Sequence, residues 1–515
     1  MKRILLFSIT VVFSVATLIA QDNPVVNGII EEATENSRLE ELAHELTDFI
    51  GPRLVGTPQM QHAHDWAVAK FNSWGVPARN EKWGEWRGWE RGITHIDMVH
   101  PRVQSLRGTQ LAWNPGTGKD GITAEVVVLP FVSDSLEFDR WLKTVKGKLV
   151  MTSKLEPTGR PDYNWEEFAK PESFEKMKKE REAQDKAWSE NMKRIGYDRR
   201  TLPAALEAAG AAGIITSYWS NGFGVTKIFG ARTEKIPTVD LELEDYGMVY
   251  RLVESGKKPK LKVVAMCKDL GTVPTFNTIA EIRGSEKPEE YVILSAHFDS
   301  WDGGTGATDN ATGTIVMMEA MRLLKKFYPN PKRTILVGLW GSEEQGLNGS
   351  RAFVEDHPEI VDGVQAVFNQ DNGTGRVVSL SGGGFLHAYD YLSRWLNAVP
   401  ENITSEIETT FPGTPARGGS DYASFQAAGA PAFSLSSLNW SYWNYTWHTN
   451  RDTYDKIIFD DVRDNAILTA ILAYMASEDP EKTSRVQAVL PVNSRTGETR
   501  EWPTPRSPER KGGFD

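Results

Sequence analysis

Four apolar runs in the second half of the chain, at 291–296, 333–340, 363–370 and 430–436, are too short for helices. They also lack the alternation of half-exposed strands, and so predict strands buried on both faces. Helical periodicity returns between them. The segment from Asn310 to Phe327 collects Glu319, Arg322 and Lys326 on one face and is apolar elsewhere, which predicts a largely buried helix. A second helix is predicted at 459–477, and Asn310 makes a sound cap for the first. Strand–helix alternation across residues 269–480 implies an α/β architecture, a mixed and mostly parallel sheet flanked by helices.

The first half reads differently. Leu39, Leu42, Leu46 and Phe49 recur at helical spacing, "GPRLVGTPQ" (51–59) breaks the pattern, and His62 to Trp74 is again amphipathic. The tract "WGEWRGWERG" (83–92) predicts a surface-packed β-hairpin. From 121 to 268 short β-like runs ("AEVVVLP", "KGKLVMTS", "AGIITSY", "KLKVVAM") surround a charged block at 174–194 that predicts an exposed helical insertion. "LPAALEAAGAAGIIT" (202–216) predicts a helix stopped by glycine and followed by a strand. Residues 121–268 are therefore expected to form a smaller, β-rich domain inserted into a larger one, whose first part is 21–120. The Pro- and Arg-rich tail, 481–515, is expected to be loosely ordered after its last helix.

Composition narrows the function classes. A net charge of −11 argues against nucleic acid, which needs a basic face. Lys2 and Arg3 precede the apolar run Ile4 to Ala20, after which Gln21-Asp22-Asn23 turns polar. This is the layout of a secretory signal, residues 1–20, and it falls short of the ~20 apolar residues of a spanning helix. The chain is expected to be secreted or periplasmic, with no stable membrane anchor. Its one cysteine, Cys267, can form no intrachain disulfide, so an exported chain must rest on packing or bound metal.

Candidate chemistry follows each apolar run. The stretch "SAHFDSWDGGTGATDNATGTIV" (295–316) supplies His297, Asp299 and Asp309. "TILVGLWGSEEQG" supplies Glu343 and Glu344, "VQAVFNQDNGTG" supplies Asp371, and "YTWHTNRDTYDKI" supplies His448. In open α/β sheets ligand groups gather at the carboxyl ends of strands. Each element alone is common in solvated loops; their appearance in order is not. Like charges this dense are costly to bury without a cation between them. The simplest account is a pair of divalent metals sharing a carboxylate; imidazole and carboxylate without thiolate suit zinc, with manganese or cobalt possible. Of the adjacent glutamates one can bind metal while the other stands over a water. Asp299, two residues beyond His297 in an extended segment, can accept the other N–H of that ring.

These blocks, with "KRTILVGLWGSEEQGLNGSRAF", "GGSDYASFQAAGAPAF" (418–433), "WHTNRDTYDKI" and the N-terminal "GPRLVGTP", resemble the co-catalytic zinc exopeptidases that include secreted bacterial aminopeptidases, glutamate carboxypeptidase and carboxypeptidase Q. The inserted segment resembles a protease-associated domain. The resemblance implies the zinc exopeptidase fold and two zinc ions, one on His297 and Asp371, the other on Glu344 and His448. Asp309 would bridge them, Glu343 would be the general base, and Asp299 would orient His297. The chain departs from many members at Tyr422, where they have histidine. It departs again at Trp447, where some place an oxyanion-stabilising tyrosine; Tyr442 or Tyr445 would have to stand in. The expected function is hydrolysis of a terminal peptide bond in peptide substrates, with aminopeptidase preferred. The alternatives are a carboxypeptidase or dipeptidase of the carboxypeptidase Q type, or a catalytically silent binding protein on the same fold.

Overall fold

A computed structural model describes residues 23–371, 374–492 and 495–513. The secretory-signal reading of residues 1–20 lies outside them. The predicted strands form at Lys287–His297, Arg333–Trp340, Val364–Asn369 and Ala432–Ser437, all parallel. Arg333–Trp340 and Val364–Asn369 are buried at every position, which is why their sequences read as unbroken apolar runs. Successive side chains serve opposite faces of this sheet. Val292 and Leu294 face Thr312–Phe327 and Phe459–Glu478, whereas Ile293 joins Leu336, Trp340 and Phe353 on the other side. Val377–Ser381 and Glu408–Thr410 extend the sheet beyond Ala432–Ser437. This is the mixed, mostly parallel α/β fold that the patterning predicts.

At the opposite edge Arg333–Trp340 pairs antiparallel with Lys260–Ile282, which in turn pairs along its length with Ala78–His100. This ribbon leaves the first sheet and enters a second. There Ile122–Val128 joins it, followed in parallel by Leu149–Met151, Gly213–Thr216 and Thr238–Leu241. Helices Pro171–Ile195 and Leu243–Glu254 accompany the second sheet, so this region is α/β in character and not only β-rich. The charged block at 174–194 lies within Pro171–Ile195, whose burial is confined to Met177, Asn191 and Ile195. Among the described residues no helix is long and apolar enough to cross a membrane.

Two expectations are corrected. The tract 83–92 is no surface hairpin; it runs through the middle of Ala78–His100. Three-residue spacing in a regular strand would send Trp83, Trp86 and Trp89 to alternating faces. Register shifts between Lys82 and Gly84 and between Gly88 and Trp89 instead let all three indoles reach one buried cluster with Trp113 and Trp301, where the two sheets meet. The tail is not loose either. Trp502 packs on Phe385 and donates to the Gln426 carbonyl, and Lys511–Gly512 pairs with Glu85 and Trp86. Glycine is required at 512, since a Cβ there would stand 2.2 Å from the Trp86 ring. Composition missed this strap because its contacts are made one residue at a time, by Trp502, Glu509 and Arg510, without any periodic pattern.

Candidate metal centre

His297 is the last residue of Lys287–His297 and is buried. The loop beyond it winds around Arg53 of the "GPRLVGTP" motif. The fully buried guanidinium donates to the carbonyls of Phe298 (2.8 Å), Gly51 (3.1 Å), Thr305 (2.9 Å) and Gly306 (2.9 Å). That loop delivers Asp309, whose peptide bond to Asn310 is cis. The helix expected from Asn310 begins at Thr312, yet the Asn310 amide oxygen still accepts from the Gly313 N–H at 3.2 Å, as a capping side chain does. Glu343 and Glu344 stand on the turn after Arg333–Trp340, flanked by Ser342 and Leu347 at φ 61° and 59°. Asp371 follows Val364–Asn369. His448 itself has φ 58°, a left-handed conformation rare outside glycine. It is held there by its carbonyl, which accepts from the Ile228 N–H at 2.9 Å, and by Trp447 stacked on its ring at 4.0 Å.

The residues converge in two groups that share Asp309. His297, Asp309 and Asp371 place ligand atoms within 4.8 Å of one another, and so do Asp309, Glu344 and His448. His297 Nδ1 lies 3.0 Å from the main-chain oxygen of Asp299. A carbonyl can only accept, so Nδ1 carries a proton and Nε2 is the ring nitrogen left to face the acids. Nε2 faces carboxylate oxygens of Asp371 at 3.1 Å and Asp309 at 3.3 Å. His448 Nε2 faces Glu344 at 2.8 Å and Asp309 at 3.4 Å. Burial pushes the His448 imidazole down to about 4, which keeps it neutral despite Asp309.

Asp299 differs in detail from expectation. Its main-chain oxygen, not its carboxylate, takes the His297 N–H. The carboxylate instead accepts from the backbone N–H groups of Glu343 (3.0 Å) and Glu344 (3.3 Å), fixing the turn that carries both acids. The imidazole N–H is satisfied by the nearer carbonyl, which frees the carboxylate for the neighbouring strand end.

The electrostatics call for a cation. Asp309 Oδ2 and Glu344 Oε1 are buried with no hydrogen-bond partner. Burial, reinforced by neighbouring carboxylates, holds Glu343 and Glu344 well above the usual carboxylate range, though His297 opposes it. Burial acts against charge on His297, but Asp371, Glu343 and Asp309 override it and raise that group well above its ordinary value. Lone-pair donors facing one another, with orphaned carboxylate oxygens beside them, fit a divalent metal in each group.

Several residues at the site were not singled out from sequence. Asp452 accepts from the N–H groups of Thr308 (2.7 Å) and Asp309 (3.0 Å) and so holds the shared carboxylate's backbone; its signal was its place in "WHTNRDTYDKI". Asp421, in "GGSDYASF", is fully buried and pushed up to about 7 by burial. From the loop between Gly213–Thr216 and Thr238–Leu241 come Phe229, 5.3 Å from the His448 ring, and Lys227, whose ammonium lies 4.2 Å from the Trp447 ring centroid. No local pattern could reveal these, because they reach the site only through tertiary folding. Of the two tyrosines considered, Tyr442 is buried and its hydroxyl acts on Asp309, whereas the Tyr445 hydroxyl lies 3.3 Å from that of Tyr163.

Residues 277–474 match the profile of Peptidase family M28. Carboxypeptidase Q of Rattus norvegicus is 27% identical over 90% of this chain and 89% of that protein; the Homo sapiens protein is 26% identical over 90% and 89%. Among solved structures, a peptidase M28 precursor from Shewanella amazonensis superposes with a TM-score of 0.65 at 23% identity, covering 93% of this chain and 98% of that one. A zinc aminopeptidase from Bacillus subtilis superposes at 0.54 and 17% identity, covering 88% and 97%. The chain is a metallo-exopeptidase whose residues 277–474 match the profile of peptidase family M28.

Proposed function

We propose that the protein is an exported dinuclear zinc exopeptidase that releases a terminal residue from peptides. In this reading His297 and Asp371 hold one zinc, Glu344 and His448 hold the other, and Asp309 is shared, with manganese or cobalt able to substitute. The observation that carries it is the pairing of orphaned oxygens on Asp309 and Glu344 with the inward-facing Nε2 atoms of His297 and His448. Zinc, when bound, supplies Lewis acidity that polarises an amide carbonyl and makes water a better nucleophile near neutral pH.

The chain's own residues do the rest. Glu343, raised by burial, takes the proton of the attacking water and returns it to the leaving nitrogen. Tyr442, kept protonated by burial and by Asp309, donates to the oxygen that gains charge. Asp299, Asp452 and Arg53 hold the backbone of the acids. Residues 1–20 act as the export signal, and residues 121–268 as a protease-associated domain whose 223–230 loop borders the site.

Family frequency favours the amino end, but two observations favour the carboxyl end. The similarity to carboxypeptidase Q spans nine-tenths of the chain. Lys227 also places a largely buried cation beside Trp447 and His448, where it can pair with a substrate α-carboxylate. Burial lowers its ammonium to about 8, so it is mostly charged at neutral pH.

Mass spectrometry of products from a mixed peptide pool, with and without chelator, tests both points. The expected result is chelator-sensitive shortening from the carboxyl end. Shortening from the amino end would overturn the polarity, and chelator-resistant cleavage would overturn the metal.

A further inference from the structure

The second sheet meets the metal centre through the loop between Gly213–Thr216 and Thr238–Leu241. In that loop Lys227 pairs antiparallel with Thr449. The Ile228 N–H donates to the His448 carbonyl at 2.9 Å, and the Asn450 N–H donates to the Thr226 carbonyl at 3.1 Å. Two side chains lengthen the pairing. Asn450 Oδ1 accepts from the Thr226 N–H at 3.0 Å, and Arg451 Nε donates to the Gly224 carbonyl at 2.9 Å. His448 is therefore held in one half of a short ladder whose other half is anchored in the second sheet. A left-handed residue other than glycine persists only where its surroundings over-determine it, and this ladder is part of that constraint.

Asp240 fixes the loop itself. It lies in Thr238–Leu241, fully buried, paired with Thr216 on the neighbouring strand. Its Oδ1 accepts from the Thr216 hydroxyl at 2.8 Å and from the Tyr218 N–H at 2.9 Å, where the loop leaves the sheet. Its Oδ2 accepts from the Lys227 N–H at 3.1 Å, where the loop runs beside Thr449. A buried carboxylate is costly unless its oxygens are satisfied. Donors on both of them call for a side chain with two acceptors and no donor, which an ionised acid supplies and an amide does not. His297 and Asp371, by contrast, stand at the ends of first-sheet strands.

We propose that Asp240 is a positioning residue for the Glu344–His448 metal group: through the loop it holds, the second sheet sets the backbone of His448 and with it the affinity of that ion. The inference rests on the two-metal reading of the site and adds which part of the chain controls one of the ions.

The test is a titration of metal-free, full-length protein with cobalt(II), followed by visible absorption, which reports the affinity and ligand geometry of each ion added. Wild type is expected to take up two equivalents. Asp240→Asn conserves volume but turns one acceptor oxygen into a donor that faces an N–H. One increment should then weaken by about tenfold, the scale on which partners that orient metal ligands act, and its absorption should change. The other increment should keep both its affinity and its spectrum. In a His448→Ala background the same substitution should not alter the ion that remains. Weakening of both ions alike, of neither, or of the ion that remains without His448 overturns the proposal.

Val249→Ala opens a cavity in the core of the second sheet, outside the loop, and controls for general loss of stability. A titration altered in this control as it is in Asp240→Asn also overturns the positioning role. Where Asp240→Asn does not fold, Thr216→Val decides: it removes one donor at conserved shape and should weaken the same increment, and an unaltered titration overturns the proposal. Wild type that takes up fewer than two equivalents refutes the two-metal reading, whereas two equivalents insensitive to Asp240 refute the positioning role alone.

Discussion

Replacing Arg53 by methionine removes the group that four backbone carbonyls share while nearly conserving volume. Its contacts to Phe298, Gly51, Thr305 and Gly306 lie between 2.8 and 3.1 Å. At about 1.5–3 kcal/mol for each hydrogen bond to a charged group the gross loss is large. Relief from burying a charge offsets much of it, since burial, against the opposing pull of Asp452 and Asp299, lowers this guanidinium to about 10. Deleting one partner of such a buried arrangement leaves a net cost of about 3–5 kcal/mol. The effect is also local. Arg53 sets the path between His297 and Asp309, so zinc affinity should fall at least tenfold together with stability. The assay is urea unfolding of metal-free protein followed by tryptophan fluorescence, paired with zinc titration. Arg53→Lys should fall between, keeping charge but losing the planar fork. A methionine variant within ~1 kcal/mol of wild type and with unchanged zinc affinity would refute the reasoning, because cost and lost affinity come from the same four contacts.

Glu343→Gln should retain zinc at wild-type stoichiometry, measured by plasma mass spectrometry, while peptide turnover falls by about 10²–10⁴-fold; loss of the metal would reassign this residue as a ligand. Asp452→Asn should weaken zinc binding without removing a donor, because the N–H groups of Thr308 and Asp309 lose a charged acceptor; unchanged zinc affinity would show that Asp309 is positioned by other contacts. His357 and Glu81, 2.6 Å apart, tie the end of Asn348–Asp356 to Ala78–His100. The Glu81 carboxylate raises the His357 imidazole, so that stabilisation is full below the ordinary histidine pKa and is lost as pH rises through the raised one. For Glu81 burial raises the pKa but His357 outweighs it, and the net lowering means its share is lost only as pH falls through the depressed carboxylate value. Urea stability should therefore decline above the histidine range in wild type and not in His357→Gln; an identical decline in both would contradict the pairing.

The parallel strands were legible because burial on both faces leaves an unbroken apolar run, and the acids and histidines were legible because each follows such a run. What could not be read locally was set by tertiary contact. The indoles of Trp83, Trp86 and Trp89 share a cluster only because of register shifts along the ribbon. Lys227 and Phe229 reach His448 from more than two hundred positions away in sequence. Asp299 shows a finer limit. The sequence places it beside His297, but whether carbonyl or carboxylate meets that ring depends on the turn that Glu343 and Glu344 adopt.

The account depends most on two cations meeting at Asp309. Crystals grown with zinc and measured on both sides of its absorption edge provide the direct observation. Two anomalous peaks are expected, one among His297, Asp309 and Asp371 and one among Asp309, Glu344 and His448. A single peak that leaves one of those groups empty, or zinc bound only elsewhere on the molecule, would contradict it.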